Sequence, residues 1–435
     1  MLGRRCLNAI SSLSGVSFGA SDAMRKDVRS MESPLCGARN TRYRSARMQR
    51  RQLIRLVGGG VVLSATAGSY RYASRKVFPT PEIALAPWRE AGRDSDPRLY
   101  ALSFAILAPN PHNMQPWIAD LSTPSEIAIS LDESRLLPAT DPFGRQILMG
   151  LGGFLELLEM AAASIGIAVD VALFPDGTPG DYLDGRRMAL VRLGERGEPR
   201  LSPLFDAVLD RRTDRRAYDP HRIIMPKDVE ALAAAVSTQE VAFGVEQGER
   251  LTAIKHTVMS AWYKELMTER TFMESMKVLR VGSSEIGQSR DGIVITDPLV
   301  VALDRLGMFN RFAAPTPDSF AVTSQVQWFD DITASTPAYL WIVTDGNTRH
   351  QQIEAGRAYV RVNLAGTTLG LSMHPNQQSL QEYVEVAQEY QTIHTLLGAP
   401  QPRFTVQMLA RLGAPPESAE HLSPAPRRGL SELIT

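Results

Sequence analysis

"GRQILMGLGGFLELLEMAAASIG", residues 144–166, is an apolar helical pattern with glycines and alanines set into it. "AGRAYVRVNLAGTTLGL", residues 355–371, follows the same plan in the second part of the chain and ends in Leu-Gly-Leu. Each is followed by a short extended segment. Small residues at helical spacing let two helix backbones approach closely. The pair therefore predicts a duplicated unit with these two helices packed between its halves. Any two alanine-rich core helices share some of this pattern, so the expectation needs support from the rest of the chain.

Outward from these helices, further helical periodicity marks 97–107, 227–236, 248–270 and 379–396. Strand-like runs are "EIAISL" (126–131), "AVDVALF" (168–174), "MALVRL" (188–193), "AYLWIV" (338–343) and "FTVQML" (404–409). The elements mix without strict strand–helix alternation, which favours an α+β fold over a doubly wound sheet. Residues 271–325, rich in Gly, Ser, Pro and charge, read as a long excursion of the kind that forms lids and binding loops. The expected division is a first half over 96–200, and a second over 201–435 that holds the lid and a basic tail.

With 47 basic and 47 acidic side chains, the protein has no global positive field to recruit nucleic acid. "MQRRQLIRLVGGGVVLSATAG" starts at Met48 and sets Arg50-Arg51 before an apolar run from Leu56 to Ala67. The run is shorter than the ~20 residues a membrane span needs, and Ala65-Thr66-Ala67 fits an A-x-A cleavage site. Residues 48–67 are therefore expected to be a twin-arginine signal, a route that exports folded proteins. On that reading 1–47 is an upstream extension, Met48 the start, and 68–95 a linker. Cys6 and Cys36, the two cysteines, both fall in 1–47, which leaves an exported chain without thiol or disulfide chemistry. Gly15-Val-Ser17-Phe-Gly19 lacks the strand–turn–helix context of a nucleophile elbow. No P-loop, dinucleotide fingerprint or helical HExxH pair is present.

Two stretches carry chemistry. In "LAPNPHNMQPW" (107–117) the prolines stop a helix and bias the residues before them toward extended backbone. In "DRRTDRRAYDP" (210–220), Arg211, Arg212, Arg215 and Arg216 crowd around Thr213. Guanidinium forks with a hydroxyl suit a phosphate. A solvated basic helix end would look similar. "PAPRRGLSELI" adds Arg427 and Arg428 in the tail.

"RRTDR" followed by an aromatic resembles the RRSxR-type motif of the FMN-dependent nitroreductase family. "APNPHNMQPW" resembles that family's APSxxNxQPW motif. "PAYLWIVTD", the 355–371 helix with "SMHP", and "RRGLSELI" resemble its core strand, central helix and basic tail. The order is reversed, since the loop precedes the arginine motif. That arrangement resembles the single-chain, Acg-like branch, in which one chain imitates a dimer. The resemblance implies a three-layer nitroreductase-like fold, duplicated as a pseudo-dimer, and a monomer carrying one composite FMN site, its second site lost. It implies flavin contacts from Pro109, Asn110, Pro111 and Asn113. It implies a phosphate clamp of Arg211, Arg212, Thr213 and Arg215 with Arg427 and Arg428. Gln377 and Gln378 stand where the family carries Glu-Gly beside the reactive flavin edge. Asn110 and Pro111 replace two serines, so two hydroxyl contacts are lost.

The implied function is an FMN oxidoreductase passing electrons from a small-molecule donor such as NAD(P)H to a nitro compound, quinone or similar acceptor, without metal. His112 is a candidate proton donor. The alternative is a protein that stores or senses FMN with little turnover. The partners besides small molecules are the export machinery, and the location is periplasmic or extracytoplasmic. Replacing Arg50 and Arg51 together by Lys should leave the protein in the cytoplasm in cell fractionation. Translation from Met48 should preserve export.

Overall fold

The computed structural model describes residues 79–236, 238, 240–417, 419 and 421–435. The expected extension (1–47), export signal (48–67) and first part of the linker (68–78) lie outside the described residues. The remainder of the expected linker contains helix α1 (Glu82–Glu90), which buries Trp88.

The first half continues with α2 (Pro97–Ala105), opened by the Asp96 carboxylate accepting from the Arg98 amide and by Pro97 in its first turn. Strands β1 (Trp117–Asp120) and β2 (Glu126–Leu131), helix α3 (Arg145–Ser164), and strands β3 (Ile167–Leu173) and β4 (Ala189–Arg196) follow. The second half runs α4 (Pro226–Ala235), β5 (Val241–Glu246), α5 (Leu251–Met267), α6 (Glu269–Lys277), β6 (Leu279–Val281), α7 (Gly282–Ser289), β7 (Ile293–Ile295), α8 (Pro298–Arg305) and α9 (Phe320–Ala334). It closes with β8 (Ala338–Asp345), α10 (Arg349–Thr368), β9 (Ser372–Pro375), α11 (Ala387–Leu396) and β10 (Phe404–Gly413).

The duplication is visible in topology. One antiparallel sheet has the order β1-β2-β4-β3 and the other β5-β8-β10-β9. Leaving aside the insertion, each is first-second-fourth-third by sequence. In each, the long central helix lies between the second and third strands. The fold is α+β, as expected.

The halves differ between their first and second strands. β1 and β2 are joined by a short turn, whereas β5 and β8 are separated by residues 247–337. This excursion starts earlier than the expected 271–325 and is folded rather than loop-like. β6 and β7 pair in parallel, and Leu279, Val281, Val300 and Val301 form a small core of their own. The apolar positions are spaced too irregularly among Gly and Ser to show as periodicity. The helix expected over 379–396 is α11 alone, because 378–380 and 384–386 are single 3-10 turns.

The excursion also adds a layer. Tyr339, Trp341, Val343, Val406 and Leu409 on one face of the second sheet pack against Ile254, Val258, Phe329, Ile332 and Ile393. Leu340, Ile342, Met408 and Leu412 on the other face pack against α10. Helices thus cover both faces, which is why β8 reads as an unbroken apolar run. β2 instead alternates buried and half-exposed positions.

At the centre α3 crosses α10. A Cβ built on Gly152 would lie 2.1 Å from the Ile353 carbonyl oxygen, and one on Gly356 would lie 2.0 Å from that of Met149. Only hydrogen fits at either point. Beside the crossing, the buried Glu156 accepts from Arg357 (3.1 Å) and Arg361 (2.7 Å) of α10. The first residues of the two helices reach into opposite halves. Arg145 donates to the Gln407 and Leu380 carbonyls, and Arg349 to those of Phe143, Gly180 and Asp181. Among the described residues α3 is the helix long and apolar enough to cross a membrane, and here it is a buried core helix.

Helix propensity alone favours Ala over Gly by ~1 kcal/mol. The crossing reverses the sign. Gly356→Ala should lower unfolding free energy in a denaturant titration by ~1–3 kcal/mol or more, the cost of overpacking. A neutral or stabilising Gly356→Ala would show that the helices are not in this contact.

Candidate functional site

The segment 107–117 sits where three parts of the chain meet. Asn110, placed before Pro111, is extended (φ −153°, ψ 159°) and Pro111 opens a single 3-10 turn. His112, Asn113 and Gln115 then adopt left-handed backbone at φ 45°, 55° and 50°. Each such non-glycine residue costs ~1–3 kcal/mol unless its surroundings hold it. Here they do. Asn110 Oδ1 accepts from the Gln115 amide (2.8 Å), and Asn110 Nδ2 donates to the Ala108 carbonyl (3.1 Å). Asn113 Nδ2 donates to the Pro426 carbonyl (3.0 Å), and its Oδ1 accepts from Arg427 (2.6 Å). Gln115 donates to the Arg290 carbonyl, and the Gly292 amide donates to that of Asn113. The loop is thus gripped by the C-terminal tail and by the excursion. Asn110 and Asn113 spend their side chains on holding it, while Pro109 and Pro111 set its course.

The arginine cluster divides. Arg216 belongs to the buried Asp214, bound at 2.6 Å. Arg211 is buried and donates to Asn363 Oδ1 (3.3 Å) and the Leu107 carbonyl (3.2 Å), with its Nε unpartnered. Arg427 donates to the Leu107 and Ala108 carbonyls, and its Nε is also unpartnered. Arg212 donates to the Leu422, Leu209 and Arg211 carbonyls. These three guanidiniums surround the Trp88 ring at 5.9, 5.2 and 4.9 Å for Arg211, Arg427 and Arg212. Among the described residues none of them has a carboxylate partner. Burial pushes the Arg211 pKa down to about 10 and that of Arg427 well down, with the neighbouring arginines adding repulsion. Arg428 points elsewhere. Its amide donates to Gln115 Oε1 and its guanidinium to the Gln115 and Glu432 carbonyls, so it pins the loop and does not join the cluster.

Arg215 differs from the other arginines of the cluster. Its side chain is exposed, and it makes no hydrogen bond or ion pair with a described residue. Yet protein surrounds it closely enough to depress its pKa. Its charge is felt by His112, His374 and Tyr359, so the four lie near one another. Thr213 is bridged in parallel to Met373, one residue before His374 on β9. Beyond His374, the chain leaving β9 presents Asn376 Oδ1, Gln377 Oε1, Gln378 Oε1 and Ser379 Oγ, all buried without a partner. Four consecutive residues that each bury an unpartnered side-chain oxygen are unusual in a folded interior. They mark a surface shaped for a polar ligand edge. Among the described residues no group of three or more metal-ligating side chains is found.

The structure brings Arg211, Arg215 and Arg427 to the 107–113 segment, with Arg212 and Thr213 beside them in sequence, and places Arg428 outside the cluster, while Gln377 and Gln378 follow β9 and contact Met408 and Glu265. Trp88, Tyr359, Asn363, His374, Asn376 and Ser379 had no motif to announce them. Trp88 lay in a proline-flanked stretch, and the others are single polar or aromatic residues in core elements.

No family model matches the chain. It is similar to a Mycobacterium tuberculosis protein provisionally named an NAD(P)H nitroreductase, at 29% identity over 344 residues, covering 77% of this chain and 89% of the relative. A second M. tuberculosis protein of the same provisional name, acg, is 26% identical over 351 residues, covering 77% and 94%. Among solved structures, the FMN and NADPH-dependent nitroreductase NfnB of sphigopyxis sp. strain HMH aligns over 54% of this chain and 98% of its own, at 17% identity and TM-score 0.35. NfnB of Mycobacterium smegmatis in complex with NADPH aligns over 51% and 92%, at 18% identity and TM-score 0.33. Over most of its length the chain is thus a sequence relative of proteins named for nitroreductase activity.

Burial and the charge of Arg215 hold the His112 pKa down to about 4, and its Nδ1 has no partner. Both effects favour the neutral form of the imidazole. An unfolded histidine takes up a proton near pH 6.5, before the folded one does, so stability falls as pH drops from about 6.5 to 4. His112→Asn, which tolerates left-handed backbone, should remove up to ~3 kcal/mol of that acid loss, at 1.36 kcal/mol per pKa unit. Urea titrations at pH 7 and pH 4.5 measure it, and an unchanged difference would mean that His112 titrates normally.

Proposed function

We propose that the chain is an FMN-dependent oxidoreductase of nitroreductase-like fold, a single-chain pseudo-dimer that takes electrons from NAD(P)H and passes them to a nitro compound, quinone or similar acceptor. The observation that carries this reading is that Arg211, Arg212, Arg215 and Arg427 form no ion pair with a described carboxylate, together with the unpartnered side-chain oxygens at 376–379. Uncompensated buried cations are costly. An anion beside Arg215, Thr213, Arg211 and Arg427 removes that cost, and the phosphate of FMN is such an anion. The strip suits the polar edge of a flavin ring. The names of the relatives point the same way.

Bound FMN would supply the hydride and electron transfer. The chain's own groups do the rest. The 109–113 loop, rigid because the tail and excursion hold it, forms one wall. Arg215 supplies positive charge, and Gln377 and Gln378 offer amides where an acidic side chain would oppose a reduced, anionic flavin. One FMN per chain is expected. In the second half the helix before the first strand ends at Ala235 and the strand begins at Val241, which leaves too little chain for a second wall. Export of the folded holoprotein by the twin-arginine route to a periplasmic or extracytoplasmic location, and a monomeric state, complete the proposal. They rest on the 48–67 pattern and on the pseudo-dimer.

Purified protein should release about one FMN per chain on heating, with no FAD. Because Arg215 makes no hydrogen bond or ion pair with a described residue, Arg215→Ala should leave stability nearly unchanged. A charge-assisted hydrogen bond contributes ~1.5–3 kcal/mol, so FMN binding should weaken by about ten- to a hundredfold. Fluorescence titration of the apoprotein reads this, with Arg192→Ala, far from the site on β4, as control. Unchanged FMN affinity in Arg215→Ala, or a ratio near two, would overturn the site as drawn. Anaerobic reduction by NADPH separates an oxidoreductase from an FMN store.

A further inference from the structure

Glu265 lies on α5, inside the excursion, and reaches the loop that follows β9. Its Oε2 accepts from Gln381 Nε2 at 2.6 Å, and Gln381 Oε1 accepts from the Tyr383 hydroxyl at 2.8 Å. The amide of Gln378 is its second neighbour on that loop. Immediately beside this chain lie the unpartnered Gln378 Oε1, Gln377 Oε1, Asn376 Oδ1 and Ser379 Oγ. No cation reaches the carboxyl among the described residues. Lys264 is bound to Glu389 at 2.7 Å. Arg270 is bound to Glu385 at 2.5 and 2.6 Å while stacking on the Tyr383 ring. Glu274 on α6 is the other charged group facing it, and its oxygens are occupied by the Ala139 and Thr140 amides and the Thr140 hydroxyl.

We propose that Glu265, contributed by the excursion, is the proton source at the redox site, delivering a proton along the edge formed by residues 376–379. The inference rests on the oxidoreductase reading above. Burial, with repulsion from Glu274, raises its pKa to about 7 against the pull of the Gln381 and Gln378 amides, so the acid is available at neutral pH. Reduction of a quinone to a quinol requires one hydride, supplied in the end by NAD(P)H, and one proton. The O–H bond of Glu265 breaks and its electron pair stays on the carboxylate. The new O–H bond forms on the acceptor oxygen, and water returns the proton to Glu265. Glu265 touches this segment directly, through the Gln378 amide and through Gln381.

Glu265→Gln keeps the shape and the hydrogen bond to Gln381 while removing the proton. The measurements are FMN per chain, turnover of a benzoquinone with NADPH between pH 5.5 and 8.5, and the carboxyl stretch of the apoprotein by difference infrared spectroscopy over the same range. The expected result is wild-type FMN content, loss of a band titrating near pH 7, and turnover at pH 6.5 lower by about a hundredfold, in the range of general acid catalysis. The break in the pH profile near 7 should vanish, and Glu265→Asp should restore part of the turnover. Glu265→Gln with FMN bound and an unchanged pH profile overturns the proposal alone. A carboxyl titrating in the ordinary range near pH 4 does so too, without reference to turnover. Absence of FMN and of NADPH oxidation in the wild type overturns the parent reading, and the proposal with it.

Discussion

The crossing of α3 and α10 sets the geometry of everything else. With Gly152 against the Ile353 carbonyl and Gly356 against that of Met149, the backbones touch at two points, and neither can move without opening a gap. Protein interiors do not deform continuously, so a contact of this kind fixes the distance between the two sheets. Glu156, buried on an otherwise apolar helix, is held by Arg357 and Arg361 and adds direction. A buried ion pair seldom adds net stability, yet it penalises any sliding that would separate its members. Close packing and charge together hold one half in register with the other.

That register is what lets segments from distant parts of the sequence complete one another. The tail crosses to the first half, where Ile434 bridges Ala119 and Arg427 and Pro426 grip Asn113. The chain between the halves crosses the other way, where Thr213 bridges Met373 and Asp219 binds the Ala414 carbonyl. A duplicated chain could in principle build the same site twice. Here the two copies have diverged, one keeping a long strained loop before its first strand, the other gaining an insertion after its own. The single covalent chain lets each copy specialise, because the two are always present together.

Much of this was legible in the sequence, and the reasons for the rest are physical. Strands such as 126–131 and the two central helices showed through clean periodicity. The prolines of 107–117 declared a loop, and the density of arginine at 211–216 declared an anion. What the sequence could not show was how those arginines divide. Arg216 is two residues from Asp214 and pairs with it, while Arg215 is left free, and only the backbone path of 210–220 decides which side chain turns outward. The same limit applies to Arg427 and Arg428, adjacent in sequence but facing opposite ways. The excursion reads as loop because its small core rests on Leu279, Val281, Val300 and Val301, scattered among polar residues. α1 was hidden by Pro87 within its span.

The arginine cluster and Glu265 are two forms of one compromise. Arg211, Arg212 and Arg427 crowd a single tryptophan and repel one another, and Arg427 and Arg211 lose hydration as well. Glu265 is held where its charge is disfavoured. In a chain selected for stability alone, apolar residues or matched pairs would stand in these places. Their cost is borne by the glycine-locked helix pair and by the doubly covered second sheet, which keep the cluster from relaxing apart. Rigidity in the core is thus the condition for electrostatic tension at the site. That tension is greatest where the halves meet, because there the backbone positions are fixed from both sides.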